Sequence, residues 1–295
     1  MNNKIRKKSW RLLQRIDGIG QSRKYCQQHS LVSSLITKKN YHSCIYTYLE
    51  WRKFNILPVH EQDNLNDLNS FLEEKAESSM QKTIDHYRCA LSLVFKKKLR
   101  HVKSEITSNS TSRNYYLSEI LIIIKNLSEK NAFSILLCYF VGLRAHELVT
   151  LRRIDEGQKA TRRTWSSDRF IGIESYNLYL VKGKGGLVRE VAVPNQLVTL
   201  IERRRLADPV TVQDRGVNYQ AFYDLATGKA LSQAFSRASK KELNWSTGLH
   251  GTRHSYAQNR LFKLTNMCIE YELAMKIVSE ELGHFRPCIT LCYLR

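Results

Sequence analysis

Apolar and aromatic side chains recur at near-helical spacing through residues 30–100. In NYHSCIYTYLEWRKFNI, Ile45, Tyr48, Leu49 and Trp51 fall on one side of a helix. LNDLNSFLEEKAE and TIDHYRCALSLVFKKKLRH continue the pattern. It breaks at HVKSEITSNSTSR, residues 101–113, which is polar, rich in Ser and Thr and without periodicity, and so reads as a linker. Beyond it YYLSEILIIIKNL and KNAFSILLCYFVGLRAHELVTLRR predict helices, the second a core helix that ends in a cluster of charge. SYNLYLV and LVREVAVP have strand composition and flank the turn KGKGG, so the three together predict a β-hairpin. From Asn195 onward the pattern predicts helices again. The chain is expected to be mostly α with a small β-sheet: a helical domain over 1–108 with a basic N-terminal segment, then a mixed α+β domain over 109–295.

Length agrees with two domains, since 295 residues exceed the usual single-domain size. Charge narrows the partner. Lys and Arg number 47 against 27 Asp and Glu, a net charge of +20, which suits a polyanion. Residues 1–108 hold 20 basic and 10 acidic side chains, leaving 27 and 17 for the rest, so each part carries +10 and each can face phosphate. A solvated basic surface, as on ribosome-associated proteins, is the plainer reading of charge alone. Seven cysteines with no CxxC pair argue against a disulfide framework and for small hydrophobes in a reducing intracellular compartment. The basic start MNNKIRKKSW lacks the apolar run of a secretory signal. LIII from Leu121 and ILLCYFVGL from Ile135 are too short to span a bilayer. A cytoplasmic, nucleoid-associated protein with no membrane partner is expected.

Candidate chemistry begins at VGLRAHELVTL. Arg144 and Glu147 stand three apart, where they can pair, and a guanidinium fixed by a carboxylate keeps donors for a phosphate. Taken alone, such a pair is most often a helix-end salt bridge. In LHGTRHSYAQ, His250 and Arg253 repeat the spacing, putting a proton carrier beside a fixed cation. His250 and His254 have the spacing of the two histidines in HExxH zinc sites, but Gly251, Thr252 and Arg253 replace the general-base Glu, and a cation opposes metal. In ELGHFRPCITLCYLR, Pro287 suits the first turn of a helix, placing His284 just before it and Tyr293, nine residues after His284, on its third turn. His284, Cys288 and Cys292 also share a spacing of four, without a fourth ligand for a metal.

In order and spacing these segments resemble the tyrosine recombinase, or phage integrase, family. GLRxxEL is matched by Gly142, Leu143, Arg144, Glu147 and Leu148. A hairpin lysine lies within VKGKGG, HxxR is His250 and Arg253, LGH is Leu282 to His284, and the nucleophile is Tyr293. The resemblance is close from about residue 113 onward, and residues 30–100 more loosely resemble the family's core-binding domain. It implies cleavage and rejoining of double-stranded DNA through a 3′-phosphotyrosine intermediate, for integration or excision of a mobile element. By resemblance His250 helps Tyr293 shed its proton, and Lys184 delivers one to the leaving 5′ oxygen. Arg144, Arg253 and His284 bind the non-bridging oxygens, with Glu147 in support. No cofactor or metal is implied.

Two departures are visible. Leu187 stands where family hairpins often carry a second basic residue, and Lys182 competes with Lys184, which is preferred for its place between Gly183 and Gly185. Only Leu294 and Arg295 follow Tyr293, so little chain remains to dock on a neighbour. The expected assembly is a monomer that becomes a homo-oligomer on DNA, a tetramer on paired sites, with accessory DNA-bending proteins as further partners. A type IB topoisomerase and a catalytically silent DNA-binding regulator are the alternative functions.

Overall fold

The structure is a computed structural model, which describes residues 3–57, 64–106, 111–183, 186–214 and 217–294. The chain forms two compact units, Met1–Asn109 and Ser110–Arg295. Helices dominate and the sheets are small and antiparallel.

The first unit is helical: α1 Asn3–Gln14, α2 Arg23–Gln28, α3 Leu35–Phe54, α4 Leu65–Ser78 and α5 Gln81–Phe95. The basic start of the chain is itself a helix. Ile5, Ser9, Leu12 and Leu13 recur on one face of α1 and are buried, while Lys4, Lys7 and Arg11 stand on the exposed face. Trp10 stacks on His42 of α3 at 4.1 Å, and the Ser9 hydroxyl lies 2.9 Å from the same imidazole. Tyr48 and Phe71 meet edge to face at 5.3 Å in the centre of this core, as do Phe71 and Tyr87. Lys96 ends α5 in the left-handed conformation.

In the second unit, α6 (Leu117–Ile124) and α7 (Glu129–Val141) precede a three-stranded sheet in the order β1 (Arg152–Arg153), β2 (Tyr176–Lys182), β3 (Val188–Pro194). The predicted hairpin is β2–β3, paired from Tyr176↔Pro194 to Lys182↔Val188. Then follow α8 (Asn195–Glu202), β4 (Arg205–Asp214), β5 (Val217–Tyr223), α9 (Gly228–Leu243), α10 (Gly251–Asn266), α11 (Tyr271–Glu281) and α12 (Pro287–Thr290). Buried along most of its length, α7 packs against α10, α9 and β3.

Four expectations are corrected. The helix foreseen over 130–153 ends at Val141, because Gly142 turns left-handed (φ +66°) and a β-carbon there would lie 2.6 Å from the Tyr256 ring. Arg144 therefore sits in a turn and Glu147 opens a 3-10 turn, Glu147–Thr150. After α8 the chain forms the β4–β5 ribbon rather than more helix, with its register shifted between Arg205 and Val210, the interval that contains Pro209. Tyr293 closes a 3-10 turn, Leu291–Tyr293, that follows the single helical turn of α12. None of the seven cysteines forms a disulfide, but only Cys26, Cys44 and Cys138 are buried, and Cys89, Cys268, Cys288 and Cys292 are exposed.

Candidate active site

Glu147 is the centre of the site. Its carboxylate is wholly buried, and oxygen Oε1 accepts from Arg144 Nη1 at 2.7 Å. Oxygen Oε2 accepts from the Arg144 backbone N–H at 2.9 Å and from Arg189 Nη2 at 2.8 Å, and lies 3.7 Å from Arg253 Nη1. Burial alone would raise the pKa of this carboxyl. The guanidinium groups of Arg189, Arg253 and Arg144 outweigh it and hold Glu147 far below the usual carboxylate range. Three positive charges against one negative leave the cluster at +2.

Arg253 enters from the first turn of α10 and is fully buried. It donates through Nη1 to the Gly142 carbonyl and through Nη2 to the Leu282 carbonyl, so it ties the end of α7 to the end of α11. Burial, and then Arg144, push its pKa down to about 10.

The turn Gly283–Phe285 delivers His284, with φ of +72° at Gly283 and +55° at Phe285. Nε2 of His284 lies 3.0 Å from Arg144 Nη2 and 3.4 Å from Arg253 Nη2. Guanidinium nitrogens only donate, so this Nε2 accepts and the ring carries its proton on Nδ1. Nδ1 is buried without a hydrogen-bond partner. Burial, reinforced by Arg253 and Arg144, pushes the His284 pKa down to about 3, and the imidazole is neutral at pH 7.

Tyr293 is 7% exposed, with its hydroxyl 3.3 Å from His250 Nε2 and 3.5 Å from His284 Nε2. His254 packs on the tyrosine ring at 4.7 Å, the Arg253 guanidinium carbon lies 5.8 Å from its centroid, and Gln258 Nε2 donates to the Tyr293 carbonyl at 3.0 Å. His250 occupies the position just before α10. Its pKa is also pushed down to about 3, by burial and then by Arg253, His254 and Arg144. A neutral imidazole facing a phenol can take its proton once negative charge arrives nearby to raise the imidazole pKa.

Arg144, Glu147, His250, Arg253, His284 and Tyr293, spread over 150 residues of sequence, thus converge on one site. Lys184 lies outside the described residues. Lys182 ends β2, where its backbone N–H donates to the Thr150 hydroxyl at 2.9 Å. His250 and His254 present their rings at 85° to each other, with centroids 5.8 Å apart, and both pack on Tyr293. Among the described residues no group of three His, Cys, Asp or Glu side chains is placed to hold a metal ion. Sequence reasoning missed Arg189, the packing role of His254, and Gln258. For Arg189 there was a signal: a lone arginine within the apolar strand VREVAVP.

Solved structures share this fold. The chain aligns over 99% of its length with 92% of a XerH site-specific recombinase bound to difH substrate, at 15% identity and a TM-score of 0.58. It aligns over 97% of its length with 94% of a Tn1549 transposon integrase in complex with circular intermediate DNA (17% identity, TM-score 0.57). A lambda integrase fragment, a dimer bound to a COC′ core site, matches over 98% of this chain and 95% of its own (15% identity, TM-score 0.57). Neither a sequence-family profile nor a curated protein sequence matches the chain. The chain shares its fold with these site-specific recombinases and integrases.

Proposed function

We propose that this chain is a site-specific DNA recombinase that cleaves and rejoins double-stranded DNA with Tyr293 as nucleophile. One observation carries the reading: a buried tyrosine hydroxyl within 3.5 Å of two neutral imidazoles, beside an arginine cluster of charge +2. A phosphodiester supplies the missing negative charge. Its non-bridging oxygens replace His284 Nε2 as acceptors for Arg144 and Arg253, and His284, moved to the other tautomer, then donates to the phosphate. The Tyr293 oxygen bonds to phosphorus as its proton passes to His250 Nε2. The bond from phosphorus to the 5′ oxygen breaks, and Lys184 protonates that oxygen to leave a free 5′ hydroxyl. Attack by a 5′ hydroxyl on the phosphotyrosine reverses each step, so rejoining needs no nucleotide hydrolysis.

The finer reading follows the same chemistry. The basic helical unit Met1–Asn109 serves as a second DNA grip. Exchange of strands takes place in a DNA-dependent tetramer on paired sites, for integration or excision of a mobile element. The test is to incubate the protein with a fragment library of DNA from its source, denature, and sequence the DNA that stays covalently attached. Adducts on Tyr293 at one recurring sequence are expected, together with joints between separate duplexes. Relaxed plasmid without such joints would make the chain a topoisomerase, and absence of any adduct would leave it a DNA-binding regulator.

A further inference from the structure

Arg189 has no part in the chemistry just described, yet it is among the most deeply buried charges of the described residues, at 1% exposure. A carboxylate already paired with Arg144 has its charge balanced, and a second buried guanidinium adds desolvation cost. Its surroundings explain its presence. Nη2 donates to Glu147 Oε2, the oxygen that also receives the Arg144 backbone N–H and faces Arg253. The side chain runs directly beneath Gly283, where a β-carbon would lie 2.9 Å from Arg189 Cδ and 3.1 Å from Nε. Its backbone belongs to β3, paired with Val181 in the hairpin that carries Lys182. One side chain thus joins the carboxylate that orients two arginines, the turn that presents His284, and the lysine hairpin. A cavity of about 50 Å³, lined by Arg144, Glu147, Gly183, Leu187, Arg189 and Gly283, borders the guanidinium, and Arg189 Nη1 has no hydrogen-bond partner.

We infer that Arg189 is a positioning residue: acting through Glu147, it sets the directions of Arg144 and Arg253 and holds the turn that carries His284. The inference rests on the strand-cleavage reading for its consequence, but its geometry can be tested without DNA. In Arg189→Met the rate of covalent adduct formation should fall roughly 100-fold, the scale of a small misplacement of catalytic groups, while equilibrium DNA binding stays close to that of the unaltered chain. Arg189→Lys should recover part of the rate. Because Arg189 acts through Glu147, the double variant with Glu147→Gln should be no slower than Glu147→Gln alone, and losses that add would overturn the inference. In DNA-free protein, the side-chain Nε–H signals of Arg144 and Arg253 should be sharp in the unaltered chain and broadened in Arg189→Met. Unchanged signals would equally overturn it. Should Arg189→Met fail to fold in a thermal melt, Arg189→Lys carries the same comparisons. If the unaltered chain forms no adduct, the cleavage reading falls, and the arginine signals alone decide whether Arg189 governs the cluster.

Discussion

Two buried carboxylates of the second unit, Glu147 and Glu281, meet arginine in different proportions. Glu281 accepts from Arg260 twice, Nε at 3.0 Å and Nη2 at 2.7 Å, from the Tyr256 hydroxyl at 2.9 Å and from the Phe170 N–H at 3.1 Å. One carboxylate faces one guanidinium, and the charge of the pair closes to zero within the fold. Glu147 faces three arginines and closes at +2. Both are dense hydrogen-bonded clusters with a tyrosine beside them. Their charge balance separates them: the neutral cluster joins α10 to α11, whereas the unbalanced one keeps an excess of positive charge.

The tyrosines give the largest expected effect. Tyr293→Phe should abolish covalent attachment to DNA with binding retained, while Tyr256→Phe should keep forming adducts. Gel detection of protein linked to nicked DNA checks both. The Tyr256 hydroxyl already donates to Glu281, and burial with that negative neighbour pushes its pKa well above the ordinary phenol value. An adduct that persists in Tyr293→Phe would move the nucleophile and collapse the contrast.

Next come the carboxylates themselves. Glu147→Gln and Glu281→Gln each leave buried guanidinium unbalanced and should cost about 3–5 kcal/mol in denaturant unfolding. Sulfate tells them apart. Glu147→Gln raises the first cluster from +2 to +3, so sulfate should raise its melting temperature more than that of Glu281→Gln. Equal responses would mean that the excess charge does not recruit anions.

Acid should weaken the site through His250 and His284. Both fold with pKa pushed down to about 3 from the ordinary histidine value near 6.5, so the unfolded chain binds protons in that window and the folded chain does not. Their contribution is present above pH 6.5 and is lost as pH falls toward 3, at a limit of about 1.4 kcal/mol per pH unit for each histidine. Unfolding midpoints at pH 7, 6 and 5 should fall less steeply for His250→Asn with His284→Asn. A parallel decline would place the titration elsewhere.

The smallest effect lies outside both clusters. On the exposed face of α1, Lys7→Gln with Arg11→Gln should flatten the dependence of log affinity for duplex DNA on log salt by about 0.9 for each phosphate no longer neutralised. An unchanged slope would take that helix out of the DNA grip.

The legible parts of the molecule were those whose signal is local. Helical periodicity marked α3, α4 and α5, and strand composition on both sides of the glycine-rich turn KGKGG marked β2–β3. The β4–β5 ribbon escaped because both strands are largely exposed, which removes the apolar alternation, and Pro209 interrupts the first. The early end of α7 was written in Gly142, but its strongest cause, the Tyr256 ring pressed against it, lies 114 residues away. Candidate residues with motif spacing were legible. Arg189 and the Glu281–Arg260 pair were not, since ion pairing across 42 and 21 residues leaves no periodic trace.

The enclosure of Tyr293 bears on how long a broken strand would survive. At 7% exposure, with His254 and His284 against its ring, the phenol has almost no solvent shell. In the proposed reaction an ester formed on that oxygen would share this shelter. The competitor of the 5′ hydroxyl there is water at its bulk concentration, and close packing around the oxygen would handicap that competitor before any strand is chosen. The packing that hides the hydroxyl at rest would then act as a timer, holding the nick open long enough for a partner strand to arrive and close it.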